Sequence, residues 1–141
     1  MKIIYKTGDL LKCKEPWILH GCNAQGVMGS GVAKAIRDKY PSAYTVYRYQ
    51  HNTDEAKLGR VTYAQQGDGK TIFNGITQEF YGRDGKQYVD YQAIEDVIWC
   101  MNESAIMEHN QHEGVIHVAM PTIGAGLGGG DWEVISRIIE D

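Results

Sequence analysis

Glycine placement constrains this chain more than any other feature of its sequence. Seventeen of its 141 residues are glycine, about 12% where a soluble protein usually has roughly 7%. Nine of them fall in two short clusters. The first is Gly21, Gly26, Gly29 and Gly31; the second is Gly124, Gly126, Gly128, Gly129 and Gly130. Proline is scarce, at three, so the excess is no Pro/Gly linker. Clustered glycine in a folded domain marks backbone held in special conformations or brought close to a ligand.

The segments around the clusters read as strands and helices in alternation. Ile3–Lys6 is a short β-type run that stops at Thr7-Gly8-Asp9, and Trp17–Leu19 is a second, ending at His20-Gly21. After the first glycine cluster, Val32, Ala33, Ala35, Ile36 and Tyr40 mark a helix with one apolar face, which Pro41 ends. Val61–Gln65 and Thr71–Thr77 are β-rich runs joined by Gln66-Gly67-Asp68-Gly69-Lys70, the signature of a hairpin. Tyr81–Lys86 reads as a loop. Ile94, Val97, Ile98, Met101 and Ala105 give a helix from Asp90, its N-cap, to about His109. Val115–Met120 is a near-continuous apolar run, as expected of a strand buried on both faces. Trp132, Ile135, Ile138 and Ile139 mark a last amphipathic helix. This order predicts one α/β domain over residues 1–141, three layers thick, with a mixed and mostly parallel sheet.

Composition excludes several functions. Fourteen basic and 18 acidic residues leave a net charge of −4, and no run of Lys or Arg stands out. Broad nucleic-acid binding through phosphate neutralisation is therefore not expected. Cys13, Cys22 and Cys100 are odd in number and lack CxxC spacing, so they read as reduced thiols in a cytoplasmic protein. The N-terminal residues turn polar too soon for a signal peptide, and no apolar run approaches the ~20 residues of a membrane helix.

Three segments can carry chemistry. His20 to Ala33 lies at a strand-to-helix junction, where free N–H groups and the positive end of the helix dipole suit a phosphate. The pattern is neither a P-loop nor GxGxxG. Its alternative is tight strand–helix packing that needs small residues. Pro121 to Trp132 also joins a strand to a helix, and loops at the carboxyl ends of neighbouring strands converge on one crevice. Two glycine loops there can clamp a diphosphate; the alternative is a mobile surface loop. Asp9 can accept hydrogen bonds from an exocyclic amine such as that of adenine, or serve as a turn or N-cap residue.

Thr7-Gly8-Asp9-Leu10, His20-Gly21-Cys22-Asn23, Met28-Gly29-Ser30-Gly31-Val32-Ala33 and Met120-Pro121-Thr122-Ile123-Gly124-Ala125-Gly126-Leu127 together resemble the four signature segments of macro domains, in order and in spacing. The resemblance covers essentially the whole chain. It implies a three-layer α/β/α fold that binds ADP-ribose at the top of a mixed sheet. The similarity is nearest to the small stand-alone macro proteins, which include ADP-ribose 1″-phosphate phosphatases with a His-x-Cys-Asn loop and Tyr-Pro-x-Ala at the helix end. His20, Cys22 and Asn23 match the first, and Tyr40-Pro41-Ser42-Ala43 the second. On this resemblance Asp9 binds the adenine amine, with Gly8 and Leu10 beside it. Gly29 to Ala33, through Ser30, Gly31 and Val32, hold the proximal phosphate, with Gly21, Cys22 and Met28 adjoining. Ile123, Gly124, Ala125, Gly126, Leu127, Gly128 and Gly129 wrap the diphosphate and distal ribose, and Asn23 bonds the ribose hydroxyls.

Two departures bear on function. The glycohydrolase subgroup carries a catalytic lysine just after the Ile-Thr that ends a strand; here Ile76-Thr77 is followed by Gln78-Glu79. That subgroup also carries an aspartate where this chain has Gly128. Macro domains of this branch usually add a strand after the last helix, which the sequence to Asp141 does not supply. The expected function is therefore hydrolysis of ADP-ribose 1″-phosphate, with His20 as general acid or base and Asn23 fixing the ribose. His20 as a core histidine is the competing reading. The other functions that the resemblance leaves open are an ADP-ribose reader without turnover and removal of ADP-ribose from protein or nucleic acid. No cofactor, metal or membrane is expected, and a monomer is. His109 and His112 lack further metal ligands, His117 reads as a hydrogen-bonded core residue, and Cys22 as a packing residue. Tyr44, Tyr47 and Tyr49 read as a cover for the core, or as a stacking surface.

Overall fold

Side chains alternate across a strand, so Trp17–Asn23 sends residues to two opposite faces. In the computed structural model, which describes residues 2–29, 31–52, 58–80, 82, 86–111, 116–125 and 128–140, this segment is strand β1. The other strands are β2 (Val61–Gln65), β3 (Thr71–Gln78) and β4 (Val118–Ala119), in the order β2-β3-β1-β4. β1 runs parallel to β3 and to β4, while β2 and β3 form the antiparallel hairpin expected from Gly67-Asp68-Gly69. Inside that turn Asp68 Oδ1 accepts from Lys70 N at 3.1 Å, and Gln66 N donates to Lys70 O at 2.7 Å.

Among the described residues four helices cover the sheet: α1 (Gly31–Lys39), α2 (Pro41–Asn52), α3 (Tyr91–Gln111) and α4 (Trp132–Glu140). Ile18 of β1 and Ile72 of β3 pack with Ile36, Tyr40 and Ala43 from α1, its end and α2. On the opposite face Leu19 and Phe73 pack with Ile94, Val97 and Met101 of α3 and with Ile135 and Ile139 of α4. Farther along β1 and β3, Cys22 and Ile76 close over Met28 and Tyr47 on the α1–α2 side. The result is the three-layer α/β/α sandwich with a mixed, mostly parallel sheet. Asp90 opens α3 as expected, its Oδ1 accepting from Ala93 N at 3.0 Å.

Four local expectations are corrected. Ile3–Lys6 forms no strand: Ile4 and Tyr5 are exposed, no sheet partner lies beside them among the described residues, and only Ile3 packs on the α3–α4 core. The run expected to be buried over 115–120 gives just two paired residues, and 116–120 are half-buried or exposed, because β4 pairs only with the start of β1. His117, expected in the core, is exposed there. Finally, Pro41 ends α1 and opens α2 in the same step. Proline suits a first helical position because its missing N–H would be unpaired there in any case. Ala43 and Tyr47, one turn apart, are buried in this helix, while Tyr49 is exposed.

The approach of α3 to β3 depends on Gly75. A Cβ there would lie 2.7 Å from Val97 Cγ1 and 3.2 Å from its Cγ2. Gly75→Ala should lower stability by about 1–3 kcal/mol through overpacking, read by urea denaturation. Combined with Val97→Ala the two costs should fall short of additive by at least about 0.5 kcal/mol. Simple additivity would show that this contact is not the cause.

Candidate functional site

β1 and β3 end side by side, with Cys22 paired to Ile76 and Asn23 to Gln78 across a local shift in register. The loop leaving β1 is tied down here. Asn23 Oδ1 accepts from Gln25 N at 2.9 Å, from Val27 N at 3.4 Å and from the Tyr47 hydroxyl at 2.9 Å, while Asn23 Nδ2 donates to Val27 O at 2.8 Å. Ala24 N donates to Gln78 O at 2.8 Å, and Arg48 Nη1 to Gly26 O at 3.1 Å. Met28 is buried against Tyr47. The loop then reaches Gly29, which is exposed, and α1 opens at Gly31 with Val32 exposed and Ala33 half-buried.

Asn23 is thus first a staple for its own loop. Of its amide hydrogens one is used by Val27 O, and the second is what it can offer a ligand. Tyr47, which sequence reasoning set among the core-covering tyrosines, holds the same loop through its hydroxyl. Burial pushes that hydroxyl's pKa up, so it stays protonated and able to donate.

The second glycine loop folds back on the segment entering α3. Gly128 O accepts from Tyr88 N at 2.7 Å and from Val89 N at 2.9 Å, and Gly124 O accepts from Gly130 N at 2.9 Å. A Cβ at Gly124 would lie 2.7 Å from Val89 Cγ2, and one at Gly129 would overlap Lys86 O. Both have positive φ, 80° and 70°, so both positions exclude other residues on conformational and steric grounds alike. The glycine excess in this loop therefore answers to packing against 86–89 as well as to any ligand. Ile123 is buried and Ala125 half-buried. Ser30, Gly126 and Leu127 lie outside the described residues, as does His112.

His20 is placed otherwise than a general acid or base requires. It shares the face of β1 that holds Ile18 and Cys22, and it is 1% exposed. Its Nε2 sits 2.5 Å from Asn74 Oδ1. Asn74 Nδ2 donates to Ala43 O at 3.0 Å and to Thr62 Oγ1 at 2.9 Å, which leaves Oδ1 as the acceptor and puts the ring proton on Nε2. Burial pushes the imidazole down to about 4, partly offset by the bond to Asn74. A neutral ring under α2 reaches no ligand in the crevice, so the catalytic expectation for His20 is corrected to that of a core residue. Cys22 is likewise in the core. Its thiol lies 3.7 Å from the ring and its pKa is raised by burial, which keeps it protonated and inert. Cys22 and Met28 support the loop from beneath, and their side chains do not line the crevice.

At the other end of the sequence segment, Asp9 is exposed and caps the short 3-10 helix Leu10–Lys12, its Oδ1 accepting from Leu11 N at 3.0 Å. Gly8 is exposed, and Leu10 and Leu11 pack toward Ile36 of α1 and Ala119 beside β4. Asp9 therefore stands on the α1–β4 side of β1, and Gln78 and Glu79 stand on the β3 side. Beyond them opens a cavity of about 410 Å³, lined by Glu79, Phe80, Tyr88, Asp90 and Tyr91 among others. Sequence reasoning registered Gln78 and Glu79 only as a missing lysine. Among the described residues no group of three His, Cys, Asp or Glu could hold a metal, and no helix is long and apolar enough to cross a membrane.

The placement of His20 has a pH consequence. Between about pH 6.5, the unfolded value, and about 4, the folded value, the unfolded chain binds the extra proton. Its stabilising contribution is complete above that window and is lost as pH falls through it. Stability should drop by about 2 kcal/mol from this group between pH 7 and pH 5. His20→Gln, which keeps an amide N–H for Asn74 without titrating, should flatten the slope in urea melts; an unchanged slope would remove His20 as its source.

Comparison with known proteins agrees with this architecture. The Macro domain family model matches residues 19–139. A DNA ADP-ribosyl glycohydrolase of Mycobacterium tuberculosis is 32% identical over 139 residues, covering 96% of this chain and 37% of that protein, so the chain spans well under half of that relative. An ADP-ribose 1″-phosphate phosphatase of Meyerozyma guilliermondii is 26% identical over 162 residues, covering 99% of this chain and 93% of that protein. Among solved structures, the macrodomain of Mycobacterium tuberculosis DarG superposes with a TM-score of 0.79 at 27% identity, covering 94% of this chain and 84% of that one. With its parallel β1–β3 pair, glycine loops at the strand ends and a family match over most of its length, the chain belongs to the macro domain family.

Proposed function

We propose that this macro domain binds ADP-ribose across the carboxyl ends of its strands and hydrolyses the phosphomonoester of ADP-ribose 1″-phosphate to ADP-ribose. The observation that carries the choice of reaction is Gln78. It stands beside Asn23 at the end of β3, where the resemblance to glycohydrolases calls for a lysine amine. An amide forms no Schiff base with an opened ribose, so a lysine-dependent covalent route has no nucleophile at this position. The phosphatase of Meyerozyma guilliermondii, matched over nearly its whole length, supports the same choice.

In this reading the ligand lies across the sheet from Asp9 to β3. One oxygen of Asp9 caps the 3-10 helix, and the other accepts from the adenine amine, with Gly8 and Leu10 at its edges. Gly31, Val32 and Ala33 present main-chain N–H groups of the first turn of α1 to the proximal phosphate, with Gly29 just before them. Ile123, Gly124, Ala125, Gly128 and Gly129 cover the diphosphate from the other side. The second amide hydrogen of Asn23 meets the distal ribose, which ends near Gln78 and Glu79. Main-chain donors held in place before the ligand arrives cost little to order on binding.

Two measurements test this. Calorimetry with ADP-ribose should show one-to-one binding, and phosphate should be released from ADP-ribose 1″-phosphate with turnover. Asp9→Asn should weaken ADP-ribose binding about tenfold or more, because its single amide oxygen can still cap the 3-10 helix through Leu11 N while its NH2 faces the adenine amine, and the thermal melt should stay near that of the parent. Binding without phosphate release would make the chain a reader. Loss of label from ADP-ribosylated DNA or protein, without phosphate release, would make it a de-ADP-ribosylating enzyme.

A further inference from the structure

Glu79 is held against the loop that leaves β1. Its carbonyl accepts from Ala24 N at 3.2 Å and from Gln25 Nε2 at 3.1 Å. Its side chain is exposed on the wall of the 410 Å³ cavity, with Asp90 and the rings of Phe80, Tyr88 and Tyr91. Among the described residues nothing hydrogen-bonds its carboxylate, and no lysine or arginine lines that cavity. The other carboxylates nearby are engaged: Asp90 caps α3 through Ala93 N, and Asp131 accepts from Glu133 N at the start of α4.

Two bonds of ADP-ribose 1″-phosphate can break in its hydrolysis. Attack of water on phosphorus places charge on the phosphoryl oxygens, and enzymes that take this route surround them with cations and N–H donors. Rupture of the ribose C1″–O bond places positive charge on C1″ and the ring oxygen instead, and carboxylates stabilise that charge. Aromatic faces also attract positive charge. A wall of two carboxylates and three rings repels the first transition state and favours the second.

On the proposed phosphatase reading, we propose that this chain cleaves the C1″–O bond and that Glu79 is the base for the attacking water. The C1″–O bond breaks with its electron pair going to the phosphate, which leaves as inorganic phosphate. The water oxygen bonds to C1″, and its proton passes to Glu79 and then to the departing phosphate or solvent. Phosphate then occupies, as leaving group, the place that the modified group holds in an ADP-ribosyl adduct.

Turnover in ¹⁸O-water distinguishes the two bonds. Inorganic phosphate should carry no ¹⁸O, with the label entering ADP-ribose; one ¹⁸O per phosphate would overturn the proposal. Glu79→Gln should lower kcat by about 100-fold or more and leave ADP-ribose affinity within about threefold. Glu79→Asp should recover part of the rate. Undiminished turnover in Glu79→Gln would remove Glu79 as base. If the parent chain releases no phosphate at all, the phosphatase reading fails and this inference with it; labelled phosphate from an active chain overturns the inference alone.

Discussion

The side-chain amide of Asn74 joins three strands and a helix at one buried point. It accepts from the His20 ring on β1, donates to Thr62 on β2 and donates to the Ala43 carbonyl of α2, all from its own place on β3. Each of these groups has lost its water, so each depends on the others. A buried polar group without its partner costs about 1–3 kcal/mol, and here one lost partner strands two or three. The network fixes the register of β1 against β3 and sets α2 at a definite height over the sheet. That height brings the Tyr47 hydroxyl to Asn23, one turn farther along α2.

From Tyr47 outward the site is built on main chain. Tyr47 and Arg48 hold the 23–27 loop, and Gln78 and Glu79 hold it from the β3 side. On the other side the 123–130 loop is locked to Tyr88 and Val89 through Gly128 O. The glycines serve both purposes, since a Cβ at Gly124 or Gly130 would press on Val89. Close packing of the loop against Val89 is a consequence of these missing side chains. Of these supports, Tyr47 and Val89 lie in the core.

Much of this was legible in the sequence, and the failures have physical causes. β1, the hairpin, α3 and α4 follow from local periodicity and turn chemistry, which short segments carry alone. The loops at the strand ends follow from glycine clustering. Ile3–Lys6 has the right composition for a strand but no partner beside it, and pairing is not a local property. α2 was hidden because Pro41 reads as a stop, although it is equally a good first residue. His20 stood next to a glycine loop in sequence, which suggested catalysis. Period-two alternation argues the reverse: two residues from Ile18 and two from Cys22, His20 must share their buried face.

The residues that differ in chemistry are then few and sit in one place. A main-chain cradle recognises a diphosphate without deciding what happens to the sugar beyond it, because N–H groups neither take protons nor form covalent intermediates. On the proposed reading, that decision falls to side chains where β3 ends, namely Gln78, Glu79 and the aromatic residues past them. Gln78 holds the 23–27 loop through its carbonyl, which any residue at this position supplies, while its side-chain amide donates to Phe80 O at 2.6 Å. On that reading, reaction type in such a domain is decided at the end of a single strand, away from the Asn74 network.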